Sequence, residues 1–296
     1  MRNTVARKMS EYADDGKRFI VLSADLGYSV FDNFKEQHPD QFFNSGIAEN
    51  TMVGVAAGLT ITGKKVFVYS IASFISEKCF EQIREDVCYP QLPVVLMGTG
   101  AGFAYGEAGV THWANEDIGC LRTIPGLTIL SPSDPVELEL LLDQSLTYPH
   151  PIYFRLGKNG EKNFCTNKKL KIGQAYYLKE ERGIALVTHG NIIEEVVRAR
   201  ELLKRDGLNV SIVSSPTIKP LDKPFFIKLA RTHKHIYVIE EHSEIGGLGD
   251  ALSFLSIKEI AIKDEVLNVG GDVPYLRQLA GIDANSIYAR VKQDLQ

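Results

Sequence analysis

The sequence contains few of the residues that mark disulfide-rich or metal-binding proteins. Only four of its 296 residues are cysteine, and they lie far apart in the chain: Cys79, Cys88, Cys120 and Cys165. They form no CxxC pair and no cluster with histidine at the spacing of metal ligands. We therefore expect neither a disulfide framework nor a zinc site, and scattered thiols of this kind indicate a cytoplasmic protein.

Long apolar runs and an excess of positive charge are also absent. A membrane-spanning helix needs roughly 20 consecutive apolar residues, and no run in the sequence approaches that length. The N-terminal segment MRNTVARKMSEYADDGKR lacks the apolar core of a signal peptide. With 33 Lys and Arg against 37 Asp and Glu, the net charge of −4 provides no basic surface for a polyanion. We expect neither a membrane nor a nucleic acid as a partner.

The motifs of several common enzyme classes are missing as well. The sequence contains no GxSxG elbow and no P-loop. Gly98, Gly100 and Gly102 follow a strand-like run, but no further glycine completes the dinucleotide-binding fingerprint. A Rossmann nucleotide site is therefore not expected.

Apolar strand-like runs alternate with segments of helical period along almost the whole chain. This alternation predicts an α/β fold with mostly parallel sheets, and the length favours two such domains. A polar, basic and glycine-containing segment at 157–171 is the predicted boundary. We therefore predict one domain over residues 1–160 and a second over residues 172–296.

Individual residues leave several interpretations open. Glu49 begins an apolar helix, where an acid either stabilises the helix dipole or takes part in chemistry. His112 lies in a long, polar, glycine-rich loop that looks flexible, a place typical of functional histidines. Glu116 and Asp117 are interpreted as the charged start of a helix, so no metal site is predicted. The segment 240–242, Glu-Glu-His, is interpreted as a solvated strand end.

The order of several segments is more specific than any single residue. Five segments follow one another along the first part of the chain: LSADLGYS, NSGIAENTMVGVAAGL, YSIASF, GEAGVTHWANEDIGCLRTIPGLTILSPSD and PIYFRLGK. In this order they resemble the pyrimidine-binding domain of transketolases. Two later segments of the chain, TIKPLD and VIEEHSEIGGLGDAL, resemble the C-terminal domain of that family. The GDG motif of the family's N-terminal half, which binds Mg²⁺ and the diphosphate of thiamine diphosphate, has no counterpart here. The chain thus resembles the C-terminal subunit of a split transketolase.

This resemblance implies roles for five residues around the cofactor. Glu49 matches the glutamate that hydrogen-bonds N1′ of the aminopyrimidine and shares a proton with the ring. His112 matches the histidine that contacts the hydroxyl groups of the donor sugar. Phe74 and Phe80 match aromatic residues that pack around the pyrimidine, and Asp25 matches an aspartate near the thiazolium edge.

The resemblance also implies a substrate pocket with two departures from the family pattern. Ser29 and Arg155 match residues that bind the phosphate of a sugar phosphate, and Arg2 is a third candidate. Ala108 stands where a transketolase has an aspartate that reads acceptor hydroxyls, and Gly100 stands where the family often has a phosphate-contacting histidine. We therefore expect an altered acceptor pocket and poor activity with ordinary pentose phosphates.

A split transketolase subunit implies a particular reaction and assembly. The expected activity is transfer of a two-carbon ketol unit from a ketose to an aldose. The pyrimidine end of thiamine diphosphate would lie on this chain, and Mg²⁺ would lie on an N-terminal-half partner subunit. We expect a heterotetramer with two copies of each half, and a chain that is inactive and binds the cofactor weakly by itself.

Two other functions remain open from the sequence. The β subunit of a 2-oxo acid decarboxylase or dehydrogenase shares both domains and the cofactor glutamate, although the GxTH loop favours the transketolase branch. A non-catalytic assembly partner would keep the fold alone. The joint presence of Glu49, Phe74 and His112 argues against that alternative.

Overall fold

The structure, a computed structural model, describes residues 1–26 and 30–296. It contains two α/β domains built on mostly parallel sheets, which confirms the predicted fold class. Within the described residues, no helix is both long and apolar enough to cross a membrane. The strands are β1 (Ile20–Ser23), β2 (Phe42–Asn44), β3 (Val66–Ile71), β4 (Val95–Thr99), β5 (Thr128–Leu130), β6 (Ile152–Leu156), β7 (Tyr176–Lys179), β8 (Gly183–Thr188), β9 (Val210–Ser214), β10 (Thr217–Lys219), β11 (His233–Ser243) and β12 (Lys258–Ile262).

The helices lie between these strands and cover both sheets. A π-helical stretch, Ile83–Cys88, continues the fifth helix, and short 3₁₀ turns occupy Gly106–Ala108 and Gly190–Ile192. The α-helices are α1 (Arg2–Asp14), α2 (Asp32–Gln37), α3 (Glu49–Ile61), α4 (Ala72–Ser76), α5 (Phe80–Gln82), α6 (Asp117–Arg122), α7 (Pro135–Ser145), α8 (Ile193–Arg205), α9 (Lys223–Thr232), α10 (Leu248–Ala251), α11 (Val273–Leu279) and α12 (Ala284–Asp294).

The sheet of the first domain has the strand order β10-β5-β6-β4-β3-β1-β2. Strands β4, β5 and β6 are buried along their whole length. Continuous burial requires runs such as Ile-Tyr-Phe-Arg-Leu instead of alternating polar residues, as expected for parallel strands covered on both faces. The second sheet has the order β12-β11-β8-β9-β7, in which only the β7–β9 pairing is antiparallel.

Strand β10 comes from the second part of the chain but belongs to the first sheet. It pairs antiparallel with β5, with Thr217 opposite Leu130. The TIKPLD segment, which is similar to the family's C-terminal domain, contains this strand. The predicted ranges, 1–160 and 172–296, therefore leave one strand of the first sheet in the second range.

The segment 240–242 is buried, so the prediction of a solvated strand end is wrong. Glu240 accepts hydrogen bonds from the backbone N–H groups of Leu248 and Gly249, at 2.9 and 2.8 Å. His189 lies 3.1 Å from the same carboxylate. Because these donors replace water, a charge at this position can be buried.

Arg155 connects the two domains from within strand β6. Its guanidinium is 1% exposed, and Nε lies 3.0 Å from both carboxylate oxygens of Asp117. Its Nη2 donates to the carbonyl oxygens of Ala114, at 2.7 Å, and Glu241, at 2.9 Å. The ion pair therefore fixes β6, the loop before α6 and β11 relative to one another.

Replacing Arg155 with Met should lower the free energy of unfolding by about 3–5 kcal/mol, because Asp117 would remain as a buried and uncompensated charge. The midpoint of urea denaturation at fixed protein concentration measures this loss. The matched control is Arg18→Met, whose ion pair with Asp40 is exposed, so its loss should shift the midpoint far less. Equal shifts for both variants would contradict the structural role of Arg155.

Candidate active site

The candidate residues lie at one edge of the first sheet because they follow the carboxyl ends of neighbouring parallel strands. Asp25 follows β1, Glu49 follows β2, Phe74 follows β3, and the loop that carries His112 follows β4. The strand order places β2, β1, β3 and β4 side by side. Ligands of open α/β sheets bind at such carboxyl ends. The structure thus gathers most of the predicted residues at one edge.

Glu49 is the first residue of α3 and is 2% exposed. Its Oε2 lies 2.6 Å from Nζ of Lys78, which is half-exposed. The hydrogen bond to this carboxylate raises the pKa of Lys78. A buried carboxyl group at the start of a helix is therefore present, as predicted, and it has a cationic partner that nothing in the sequence indicates.

Asp25 is held by Asn44, the last residue of β2. The Asn44 amide donates to Oδ1 of Asp25 at 2.9 Å, and the Asp25 N–H donates to the Asn44 side-chain oxygen at 3.1 Å. The same oxygen accepts the N–H of Gly46 at 2.8 Å. This network joins the loop after β1 to the turn that leads into Glu49. The predicted phosphate contact Ser29 lies outside the described residues.

Phe74 and His112 pack together at the centre of this edge. Their ring centroids are 5.1 Å apart in an edge-to-face arrangement. The Thr111 hydroxyl lies 2.9 Å from Nδ1 of His112 and fixes the imidazole, while Nε2 has no partner among the described residues. The Ser73 hydroxyl donates to the Thr111 carbonyl at 3.3 Å, so α4 and the loop hold both rings in place.

Phe80 does not contact the Phe74–His112 pair. It is half-buried in a separate shallow cleft with Glu77, Cys120 and Thr123. Its predicted contact with the cofactor therefore stays a prediction.

The glycine-rich loop after β4 is anchored, in contrast to the flexible loop expected from its composition. Gly102 and Ala114 exchange two backbone hydrogen bonds that close the base of the loop. The side chains of Phe103 and Trp113 are buried against each other, with centroids 5.2 Å apart. The N–H of Phe103 donates to Oε1 of Glu241 at 2.9 Å, so the second domain holds the loop.

Gly100 provides space for Tyr105, which folds back over it. A Cβ atom at Gly100 would overlap the Tyr105 ring, and the backbone φ of Gly100 is +91°. Tyr105 and Ala108 both line a cavity of about 510 Å³ together with Lys158. Of the two positions that depart from the family pattern, Ala108 lines this cavity, and Gly100 is covered by the tyrosine that lines it.

Lys158 lines this pocket, and Arg2 acts electrostatically on Tyr105; neither cation forms an ion pair with a described residue. Lys158 places Nζ 4.5 Å from the centroid of the Tyr105 ring. Burial raises the pKa of Tyr105, and the nearby charge of Arg2 opposes that shift. The Nε atom of Arg2 is buried and has no partner among the described residues. Arg2 is thus close enough to Tyr105 to act on its hydroxyl group, and its predicted contact with a phosphate stays a prediction.

Arg155 does not lie in the pocket, and its predicted role as a phosphate ligand is wrong in this structure. Its buried guanidinium is occupied by Asp117 and by the carbonyl groups of Ala114 and Glu241. Lys158 follows the end of β6 and faces the pocket instead. Its position directly after a predicted strand is the signal that could have identified it.

Comparisons with known proteins identify both domains. The family profile for the transketolase pyrimidine-binding domain matches residues 1–160, and that for the transketolase C-terminal domain matches residues 173–287. This chain belongs to the transketolase family. The predicted family and fold are therefore confirmed.

Similar proteins of comparable length are transketolase subunits. A putative transketolase C-terminal section from Methanocaldococcus jannaschii is 31% identical over 100% of this chain and 96% of its own length. An apulose-4-phosphate transketolase subunit from Actinobacillus succinogenes is 33% identical over 86% of this chain and 85% of its own. A 6-deoxy-6-sulfo-D-fructose transketolase subunit from a Clostridium species is 30% identical over 97% and 92%.

A solved structure extends this likeness to the whole fold. It is described as a split-gene transketolase in an inactive β4 tetramer, and it superposes with a TM-score of 0.88 at 29% identity. The match covers 99% of this chain and 96% of the other. The chain is thus one half of a two-subunit transketolase, and the β subunit of a 2-oxo acid decarboxylase complex is disfavoured.

A transketolase pyrimidine-binding domain implies thiamine diphosphate as the cofactor. The residues present fit its pyrimidine end, because a buried carboxyl at Glu49 and a half-buried ring at Phe74 lie at one sheet edge. In the described part of the chain, no group of three His, Cys, Asp or Glu side chains could hold a metal ion.

Replacing Gly100 with Ala should displace the Tyr105 ring, because the added methyl group meets that ring and the positive φ is strained. We expect a loss of about 1–3 kcal/mol of stability and a shift in the fluorescence of Trp113, the single tryptophan of the chain, which lies in the same loop. Gly58→Ala is the control, because its Cβ would meet nothing within 4 Å. An unchanged emission spectrum in Gly100→Ala would contradict this packing.

Proposed function

We propose that this chain supplies Glu49, Phe74 and His112 to an active site shared with an N-terminal-half subunit that holds Mg²⁺ and the diphosphate. The observation that carries this proposal is the meeting of a buried carboxyl, an aromatic ring and an oriented histidine at one sheet edge. The assembly we propose is a heterotetramer with two copies of each half. The tetrameric state of the similar solved chain supports association through this family's surfaces.

Glu49 is the acid–base group of the proposed site. When bound, thiamine diphosphate would supply the nucleophilic carbon for two-carbon transfer. Glu49 must hold a proton at the pyrimidine nitrogen, and its near-complete burial keeps water away from the two groups that share that proton. Turnover should therefore depend more on Glu49 than on any other residue of this chain.

His112 and Phe74 position the other reactants. Thr111 fixes the imidazole through Nδ1, which leaves Nε2 to bind a hydroxyl group of the donor sugar. Phe74 packs against the imidazole and offers its half-buried ring to the pyrimidine. Asp25, fixed by Asn44, contributes a negative charge at the same edge.

The Glu49→Gln variant should lose at least about 100-fold in turnover, because an amide of similar size cannot share the proton. The measurement is ketol transfer by the reconstituted two-subunit enzyme, together with exchange of the C2 proton of thiamine diphosphate. Size-exclusion chromatography controls for assembly, which should be unchanged. Wild-type exchange in an assembled Glu49→Gln enzyme would sink this role for Glu49.

The substrates we propose are anionic sugars other than the ordinary pentose phosphates. Ala108 and Gly100 remove two polar contacts, and Tyr105 occupies part of the pocket. Lys158 lines the pocket and Arg2 acts on Tyr105 beside it, and both are cations that suit a phosphate or another anionic group. The names of two relatives, with apulose 4-phosphate and 6-deoxy-6-sulfo-D-fructose, support varied and anionic sugar substrates among similar subunits.

Xylulose 5-phosphate with ribose 5-phosphate should therefore be poor substrates, and Ala108→Asp should shift acceptor preference toward them. A panel of phosphorylated, sulfonated and uncharged ketoses and aldoses, assayed on the reconstituted enzyme, measures this by kcat/KM. Ala108→Asn separates the effect of charge from that of size. The idea fails if pentose phosphates are the best substrates and the Ala108→Asp enzyme is no different from wild type.

A further inference from the structure

Lys78 is a charged residue of the site whose contact with Glu49 has no place in the proposed chemistry. Its ammonium lies 2.6 Å from a carboxylate that is 2% exposed, while its own side chain is 50% exposed. One partner of this ion pair is thus fixed inside the protein, and the other can reach solvent. Such a pair can open without moving the backbone.

The backbone around Lys78 is held by the residue next to Glu49. Lys78 lies in the turn between α4 and α5. The amide of Asn50 donates to the Lys78 carbonyl at 2.9 Å and to the Gln82 side-chain oxygen at 2.7 Å. Two successive residues of α3 therefore hold the side chain and the main chain of Lys78, so the ion pair is a consequence of the packing of this turn.

Lys78 is the cation that faces Glu49 among the described residues. The neighbouring Cys79 thiol is buried, which raises its pKa to about 12 and leaves it uncharged near neutral pH. Asp86 lies against Gly54 on the next turns of α3, and Glu77 lies toward α6. Asp25, at the end of β1, is bonded to Asn44.

We propose that Lys78 is a positioning residue for Glu49: it keeps the carboxylate ionised in the cofactor-free chain, and this ion pair opens when the cofactor binds. A buried carboxylate is stable when a counter-ion lies beside it, whereas burial without one favours the protonated acid. The proposed chemistry needs Glu49 to hold a proton, so the paired state is not the working state. This inference rests on the proposed function of Glu49.

The first test uses the isolated chain and needs no partner subunit. Infrared difference spectra between wild type and Glu49→Gln should show an ionised carboxylate for Glu49 at neutral pH. The same difference measured in a Lys78→Gln background should show a protonated carboxylic acid instead. Lys78→Arg should retain the ionised form, and Lys64→Gln, which alters an exposed lysine after α3, should match wild type. An ionised Glu49 in Lys78→Gln would overturn the proposal.

The second test measures cofactor binding by the two-subunit enzyme with Mg²⁺. Calorimetry in buffers of different ionisation enthalpy counts the protons taken up with thiamine diphosphate. Wild type should take up a proton, so its affinity should fall as pH rises. Lys78→Gln should take up fewer protons and bind roughly fivefold more tightly, because no ion pair is broken. Weaker binding, or unchanged proton uptake, in Lys78→Gln would overturn the proposal.

The two tests separate this inference from the proposed function. If the assembled wild-type enzyme binds no thiamine diphosphate, the proposed function fails, and the infrared result alone decides whether Lys78 keeps Glu49 ionised. If wild type binds and reacts but the Lys78 variants behave alike in both measurements, the proposed function stands and the role of Lys78 is wrong.

Discussion

The geometry of the site depends on the hydrogen bond and the ion pair that the carboxylate of Glu241 forms. It accepts the N–H of Phe103 and pairs with Arg277 at 2.6 Å, so a side chain of the second domain holds the loop that carries His112. Gly102 is required at this junction, because a Cβ there would lie 2.6 Å from Cγ of Glu241. A buried charge is stable only when its acceptor oxygens are filled. The domains therefore hold one arrangement, and the position of the histidine follows from it.

The fold could be predicted because its main pattern is local. Runs such as Val-Phe-Val-Tyr-Ser-Ile in β3 are apolar over their whole length, which is typical of strands in a parallel sheet. Burial of charge could not be predicted in this way. The donors to Glu240 and Glu241 come from residues elsewhere in the chain, and a segment of three polar residues gives no sign of them. A polar segment therefore indicates exposure to solvent only when the folded chain offers no hydrogen-bond partners for it.

The site could be predicted in part, and the missed residues share a physical reason. Glu49, Phe74 and His112 follow the ends of neighbouring strands, so the order of segments predicts that they lie at one edge of the sheet. Arg155 and Lys158 are only three positions apart, and the exact end of β6 decides which one faces the pocket. That end depends on pairing with β4 and β5, which a single sequence does not display.

Gly100 shows that a missing side chain in the sequence does not always leave an empty space in the pocket. Compared position by position, a missing side chain predicts an empty region. In the folded chain the region is filled by Tyr105, with Lys158 over its ring. A binding surface can therefore acquire new chemistry from a residue elsewhere in its loop, while the main chain of the loop keeps its anchors.

Strand β10 completes the first sheet, although it comes late in the chain. Thr217 pairs with Leu130, so the edge of β5 stays uncovered until the chain has been made beyond residue 219. An uncovered edge strand is a site for pairing with other chains. During translation the first domain therefore emerges with one edge exposed, and the second domain closes it. The first sheet is therefore completed by a strand that is made together with the second domain, although the two sheets are separate in the finished protein.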